Sequence, residues 1–145
     1  MSRVQLALNV ADLEESIAFY TKLFGVEPAK VRDGYANFAI ADPPLKLVLF
    51  ADAGEPGSLN HLGVEVASSS EVMAAAARAR GEDLPTELEE STSCCYAVQD
   101  KVWVQGPDNA WEVYTVLADA PALAPAGETR VTVSVADPTT QSCCG

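Results

Sequence analysis

The chain has 145 residues, 48% of them hydrophobic, which is enough to build one core or two small ones. Nine Lys and Arg residues against 21 Asp and Glu residues give a formal net charge of −12 at pH 7. Nucleic acids and anionic membranes require a basic surface, so we expect neither as a partner. No apolar run approaches the roughly 18 residues of a membrane span, and no signal-peptide pattern is present, so we expect a cytoplasmic protein.

A repeated pattern begins near the N-terminus. Residues 5–11 (QLALNVA) align with residues 61–67 (HLGVEVA), and the alignment continues without a gap to Gly25 and Gly81. In both copies apolar residues occupy every second position at first, which is typical of a strand with one face on a core. Each copy therefore predicts a strand, then a helix, then a glycine that ends the helix.

Both predicted helices carry start and stop signals. Asp12 with Glu15, and Ser68 with Glu71, have the spacing of a capping box, which satisfies the free N–H groups at a helix start. Apolar stripes follow, at Leu13, Ile17, Tyr20 and Phe24 in the first copy and at Val72, Ala75, Ala76 and Ala79 in the second. We expect Gly25 and Gly81 to take the left-handed conformation that ends a helix.

After each helix the pattern changes to period two or to short apolar runs, which favours strands. In the first half the predicted strands are residues 35–40 and 45–50, joined by a turn at Pro43-Pro44, with a weaker strand at 27–32. In the second half they are residues 84–89, 96–98, 101–105 and 111–116, with a turn at residues 106–109. Residues 118–145 are rich in Ala, Pro, Thr and Ser and predict a tail with one further strand at 130–136.

Strand alternation places Gln5 and His61 at equivalent positions of the two copies, on the face that points away from the helix. If the two copies pair edge to edge, both side chains project into the same concavity. Glu112 and Tyr114 share a face of a later strand. His61 is the only histidine, and a lone histidine is more often structural than a metal ligand.

The strand–helix copies and the segment Gly106-Pro-Asp-Asn-Ala-Trp-Glu-Val-Tyr114 resemble the vicinal oxygen chelate superfamily of glyoxalases, extradiol dioxygenases and bleomycin-resistance proteins. The resemblance implies an α+β fold over residues 1–117, with two βαβββ modules (about 3–51 and 60–117) whose curved sheets enclose a metal-binding cavity. In that superfamily the first strand of each module and the last strand of the second supply metal ligands. These positions correspond to Gln5, His61 and Glu112.

One departure from the superfamily pattern concerns the number of ligands. Glyoxalase I has a further glutamate on the last strand of its first module, whereas that strand reads Leu45-Lys-Leu-Val-Leu-Phe50 here and has no carboxylate. Three ligands leave coordination positions open. An imidazole, an amide and a carboxylate resemble a variant of the facial triad of non-haem Fe(II) oxygenases, so Fe(II) is expected, with Mn, Ni and Co left open. We assign no catalytic residue beyond the metal site.

The four cysteines form two adjacent pairs, Cys94-Cys95 and Cys143-Cys144. Neighbouring Cα atoms lie about 3.8 Å apart, below the usual span of a disulfide, so a bridge within a pair would be strained. In a reducing cytosol we expect free dithiols, with a bridge between the pairs as the alternative under oxidation. Adjacent side chains on a regular strand point to opposite faces, so thiols that act together must lie on a loop or a bulge.

Paired thiols suit a thiophilic centre such as trivalent arsenic or a soft metal ion. With the first-strand Gln5, the Asn60-His-Leu-Gly63 start of the second module and the paired cysteines, the chain resembles the carbon–arsenic lyase branch of the superfamily and the related cadmium-induced proteins. This resemblance implies an Fe(II)-dependent, O₂-using enzyme that demethylates or dearylates trivalent organoarsenicals to arsenite. Cys94 and Cys95 would bind the arsenic.

Three alternatives stay open at this point. The chain could be a non-enzymatic thiol protein that binds cadmium or arsenite. It could be another extradiol-type dioxygenase, in which the cysteine pair has no role, or an antibiotic-binding resistance protein, which needs no metal. For the favoured reading the partners are a small trivalent organoarsenical and O₂, and the chain is expected to be a monomer or a homodimer.

Overall fold

The computed structural model describes residues 2–94, 96–119 and 130–131. Cys95 and the tail pair Cys143-Cys144 therefore lie outside the described residues. The chain divides into two compact units, which we call the N-terminal unit (Arg3–Leu62) and the C-terminal unit (the described residues from Gly63 onward). No helix in the described ranges is long and apolar enough to cross a membrane.

The N-terminal unit is a strand, a helix and a set of further strands, as the first half of the repeat predicts. Its elements are β1 (Arg3–Val10), α1 (Leu13–Phe24), β2 (Lys30–Arg32), β3 (Tyr35–Ile40), β4 (Leu45–Ala51) and the beginning of β5 (Leu59–Glu65). The strand order is β2-β3-β4-β1-β5. β1 and β4 are parallel, whereas β2, β3 and β4 are antiparallel neighbours.

The two faces of β1 have different roles. Leu6, Leu8 and Val10 belong to an apolar cluster that also contains the predicted stripe of α1. On the opposite face Gln5 and Asn9 are 4% and 5% exposed. The predicted alternation of β1 is confirmed, and its polar face is the more buried one. Buried amides are costly unless they are hydrogen-bonded, so these two side chains need partners within the protein.

The C-terminal unit begins within β5. It continues with α2 (Ser69–Gly81), β6 (Thr86–Cys94), β7 (Ala97–Gln105), β8 (Ala110–Asp119) and β9 (Arg130–Val131). The order is β8-β7-β6-β9, and all of these neighbours are antiparallel. β8 extends to Asp119, beyond the predicted end of this strand at residue 116. The strand predicted at residues 130–136 is present over its first two residues, and the remainder lies outside the described residues.

The structure corrects the strand boundaries around the cysteine pair. The two strands predicted at residues 96–98 and 101–105 are one strand, β7. β6 runs on through Ser91-Thr-Ser93 to Cys94, so Cys94 lies at the end of a strand. Its pairing with β7 shifts between Glu89 and Thr92, and Ser91 there has φ 48° and donates its N–H to Oδ1 of Asp100 at 2.7 Å. A bulge accommodates the extra residue, which lets the strand continue.

The helix starts agree with prediction, but one helix end does not. Oδ1 of Asp12 accepts from the N–H of Glu15 at 2.9 Å, and Gly25 ends α1 with φ 68°. The prediction for Gly81 is wrong, because Gly81 is still helical and the left-handed residue is Asp83, with φ 57°. Asp tolerates this conformation better than most residues because its short side chain can hydrogen-bond locally.

The two glycines offer a matched test of this difference. Gly25→Ala should lower the free energy of unfolding by about 1 kcal/mol, because a side chain is strained at positive φ. Gly81→Ala should leave stability unchanged or raise it by up to about 1 kcal/mol, because alanine is the better helix former. Urea unfolding followed by circular dichroism measures both. Equal losses for the two variants would contradict the assignment of the helix ends.

Candidate functional site

β1 and the beginning of β5 place Gln5 and His61 side by side. The side chains are 4% and 5% exposed, and the two Nε2 atoms lie 3.1 Å apart. The ring of Phe50, from β4, lies next to the imidazole with ring centroids 6.3 Å apart. Two of the three positions predicted from the resemblance are therefore neighbours within the N-terminal unit. Their role as metal ligands stays a prediction.

The side chain of Asn60 determines which nitrogen of His61 carries the proton. Nδ1 of His61 lies 2.8 Å from Oδ1 of Asn60, and an amide oxygen can only accept, so Nδ1–H is the donor. The lone pair of the neutral ring is then on Nε2, where it accepts from the amide N–H of Gln5. A metal ion binds a histidine through such a lone pair, with the other ring nitrogen donating to a fixed acceptor.

The Gln5–His61 pair fits a divalent metal ion. Rotating the side-chain amide of Gln5 by half a turn exchanges the positions of its NH₂ group and its oxygen. The oxygen, a hard donor, then lies beside the lone pair of the imidazole. Within the described ranges no three His, Cys, Asp or Glu side chains cluster as a metal site. A set composed of Gln5, His61 and Glu112 contains only two of those residue types, so that finding does not address it.

Glu112 lies on β8, in the C-terminal unit, and forms a buried ion pair with Lys101 of β7. Nζ of Lys101 is 2.7 Å from Oε2 of Glu112, and the side chains are 1% and 4% exposed. The same ammonium lies 5.5 Å from the ring centroid of Trp103 and 5.7 Å from that of Tyr114. Lys101 thus compensates a carboxylate that burial would otherwise destabilise. That Glu112 shares a metal with Gln5 and His61 stays a prediction.

Sequence reasoning missed Lys101 and Asn60. Lys101 opposes Tyr114 across the ladder and is diagonal to Glu112, which opposes Trp103. Lys101 lies on the face of β7 that opposes Glu112 and Tyr114 of β8. A lysine on that face was the signal that could have found it. Asn60 directly precedes the only histidine, but neighbours along a strand point to opposite faces, so alternation gave no reason to join them.

Cys94 lies beside the turn of the hairpin that joins β6 and β7. Cys94, the last residue of β6, pairs with Ala97, the first residue of β7, and Tyr96 between them has φ 63°. Positive φ is typical of two-residue hairpin connections. Cys94 is 1% exposed, and its carbonyl accepts from Nε2 of Gln99 at 3.3 Å. Cys94 is disulfide-bonded, so the expected free thiol is not what the structure shows. Joint action with Cys95 stays a prediction.

Comparison with known proteins decides the family. The model of the Glyoxalase/Bleomycin resistance protein/Dioxygenase superfamily matches residues 3–113. The chain belongs to this superfamily. The recognition from sequence and the predicted α+β fold are thereby confirmed, and so is the branch, since the relatives below carry the expected names.

Two relatives and one solved structure illustrate the likeness. The chain is 65% identical over 121 residues to the cadmium-induced protein of Mycobacterium tuberculosis, covering 83% of this chain and 80% of the relative. It is 63% identical over 130 residues to the trivalent organoarsenical cleaving enzyme of Thermomonospora curvata, covering 88% and 86%. The Mn(II)-bound glyoxalase of Novosphingobium aromaticivorans has a TM-score of 0.60 at 19% identity, over 88% of this chain and 44% of that chain, which shows the fold.

The Lys101–Glu112 pair gives a stability prediction that requires no substrate. Lys101→Met should lower the free energy of unfolding by about 3 kcal/mol, because it leaves a carboxylate buried without its cation. The double variant Lys101→Met with Glu112→Gln should recover most of that loss. Chemical denaturation of the single and double variants measures the coupling. Additive losses in the double variant would show that the two side chains do not depend on each other.

Proposed function

We propose that this protein cleaves the carbon–arsenic bond of trivalent organoarsenicals and releases arsenite. The observation that carries the proposal is the 63% identity to a relative named trivalent organoarsenical cleaving enzyme, over 88% of this chain. The buried Gln5–His61 pair and the cysteine at the β6–β7 hairpin support it, because an imidazole beside an amide suits a divalent metal and a cysteine sulfur suits trivalent arsenic.

For the metal we propose Fe(II), held by Gln5, His61 and Glu112, with O₂ as co-substrate. When bound, the ion would orient and activate O₂ beside the substrate. His61 presents the Nε2 lone pair because its Nδ1–H is engaged by Asn60. Lys101 stabilises the charged form of Glu112 in a buried position. Mn, Ni and Co are alternatives that the same donors accept.

For the substrate we propose that Cys94 and Cys95 bind trivalent arsenic. Two thiols displace two hydroxyl groups from the arsenic as water, forming two As–S bonds. The disulfide at Cys94 must be reduced first, which a cytoplasmic location, also proposed here, would favour. Anchoring the arsenic on the protein raises the effective concentration of its carbon substituent at the metal site.

The carbon-containing product distinguishes an oxidative reaction from a hydrolytic one. Methylarsonous acid and one O₂ have the same atoms as arsenous acid and formaldehyde, so no further reductant is needed. Hydrolysis would instead give arsenous acid and methane, without O₂. The proposal requires formaldehyde in equal amount to arsenite.

The direct test is turnover of methylarsonous acid by the reduced, Fe(II)-loaded protein. Substrate is added anaerobically, and arsenite and formaldehyde are followed after O₂ is admitted. We expect both products after O₂ and neither before it. Arsenite with methane before O₂ would overturn the oxidative route, and no arsenite at all would overturn the lyase proposal.

Two substitutions assign the roles of metal and thiol. Cys94→Ser should abolish turnover and weaken arsenical binding while Fe(II) stays bound, because the thiol binds substrate and not the metal. His61→Ala should lose Fe(II) but keep arsenical binding. Metal content and arsenic retained after gel filtration measure the two properties separately. Loss of both properties in both variants, with folding intact, would contradict this division.

A second candidate is a non-catalytic thiol protein that binds cadmium or arsenite. The observation in its favour is the 65% identity to a relative named cadmium-induced protein. In this case Cd(II) would bind through sulfur, so Cys94→Ser would remove it and His61→Ala would not. The same protein would show no release of arsenite from methylarsonous acid.

A further inference from the structure

We infer that Asn60, Asn9 and Ser58 form a positioning relay that holds His61 in its Nδ1–H tautomer and so sets the metal affinity of the site. The inference deepens the proposed function, because it concerns the proposed ligand His61. None of these three side chains touches substrate or metal in this proposal. They act through His61.

The relay is a continuous chain of side-chain hydrogen bonds. Nδ1 of His61 lies 2.8 Å from Oδ1 of Asn60, and Nδ2 of Asn60 donates to Oδ1 of Asn9 at 3.0 Å. Nδ2 of Asn9 donates to Oγ of Ser58 at 2.9 Å, and that hydroxyl donates to the backbone carbonyl of Glu55 at 2.6 Å. Every link lies within the N-terminal unit.

The hydrogen bond from Ser58 to the carbonyl of Glu55 determines which group donates in every other link of the relay. The hydroxyl proton of Ser58 is used on the carbonyl of Glu55, so Ser58 can only accept from Asn9. Asn9 must then present its NH₂ group to Ser58 and its oxygen to Asn60. Asn60 in turn presents its NH₂ group to Asn9 and its oxygen to His61. A backbone carbonyl thus sets the orientation of two amides and the tautomer of one imidazole.

Backbone contacts hold the relay in place. The β4–β5 segment (residues 52–58) bonds to β1 through the N–H of Gly57, which donates to the carbonyl of Asn9 at 2.8 Å, and through the N–H of Asn9, which donates to the carbonyl of Ser58 at 3.0 Å. Gly54 lies so close that a Cβ there would be 2.7 Å from Nδ2 of Asn9. The segment therefore constrains the Asn9 amide directly.

The tautomer of His61 determines whether its Nε2 atom can bind a metal. The other neutral tautomer carries its proton on Nε2, which cannot then bind a metal. An acceptor on Nδ1–H fixes the ring and raises the basicity of the other nitrogen. Loss of such a partner typically weakens metal binding by about 10- to 100-fold.

The tautomer can be read without metal or substrate, because His61 is the only histidine. Long-range ¹H–¹⁵N NMR spectra of the metal-free protein should show the Nδ1–H form alone. Asn60→Ala and Gly54→Ala should add the Nε2–H form, whereas Asn60→Asp, which keeps an acceptor, should not. Asn37→Ala is the control, since Asn37 is a buried asparagine of the same unit that donates to the hydroxyl of Tyr35 and not to the relay. An unchanged spectrum in both Asn60→Ala and Gly54→Ala would overturn the relay.

Mn(II) titration by calorimetry is the second measurement. Asn60→Ala and Gly54→Ala should weaken Mn(II) binding by about 10- to 100-fold, while Asn60→Asp and Asn37→Ala stay within a few-fold of the parent. Equal affinities in all variants would overturn the role of the relay in metal binding. If the parent protein binds no Mn(II) or Fe(II), the proposed metal site fails, and the NMR spectra still decide whether the relay sets the tautomer.

Discussion

The hydrogen bond between Gln5 and His61 is the constraint on which the account of this protein depends. An amide and an imidazole are both buried on neighbouring strands, where water does not supply partners, and each must therefore find one in the protein. In the structure they hydrogen-bond to each other. In the proposed metal site the Gln5 amide would need only to turn over, and the two side chains would become neighbouring metal ligands.

Glu112 is also a buried polar group that has a partner within the protein. Its carboxylate is compensated by Lys101, and the ammonium of Lys101 lies near two aromatic rings, which stabilises the buried charge. If Gln5, His61 and Glu112 hold a metal as proposed, their existing partners would make folding independent of the ion. Structural zinc sites differ, because there binding energy is folding energy.

Periodicity predicted the elements well where a strand has one apolar face. The β1 alternation, both capping residues and the limits of β3 followed from residue spacing and side-chain chemistry. It failed where backbone geometry decides the outcome. Nothing in the Ser91-Thr-Ser93 run distinguishes a loop from a strand with a bulge, and the left-handed residue after α2 is an Asp although a Gly stands two positions before it.

The sequence likewise predicted some residues of the proposed site and missed others. The repeat placed Gln5 and His61 at equivalent positions, and the structure makes them neighbours. The relay through Asn60, Asn9 and Ser58 was not predictable, because it joins β1, β5 and the β4–β5 segment through side-chain contacts that no spacing encodes. Lys101 was missed because long-range pairing of β7 with β8 determines its distance to Glu112.

The two proposed functions differ in one respect, which is whether a bound metal would be held by nitrogen and oxygen or by sulfur. X-ray absorption at the iron edge of the reduced, anaerobically Fe(II)-loaded protein answers it directly. We expect a first shell of oxygen and nitrogen atoms, with imidazole scattering that His61→Ala removes. A first shell that contains sulfur, and that persists in His61→Ala, would contradict it.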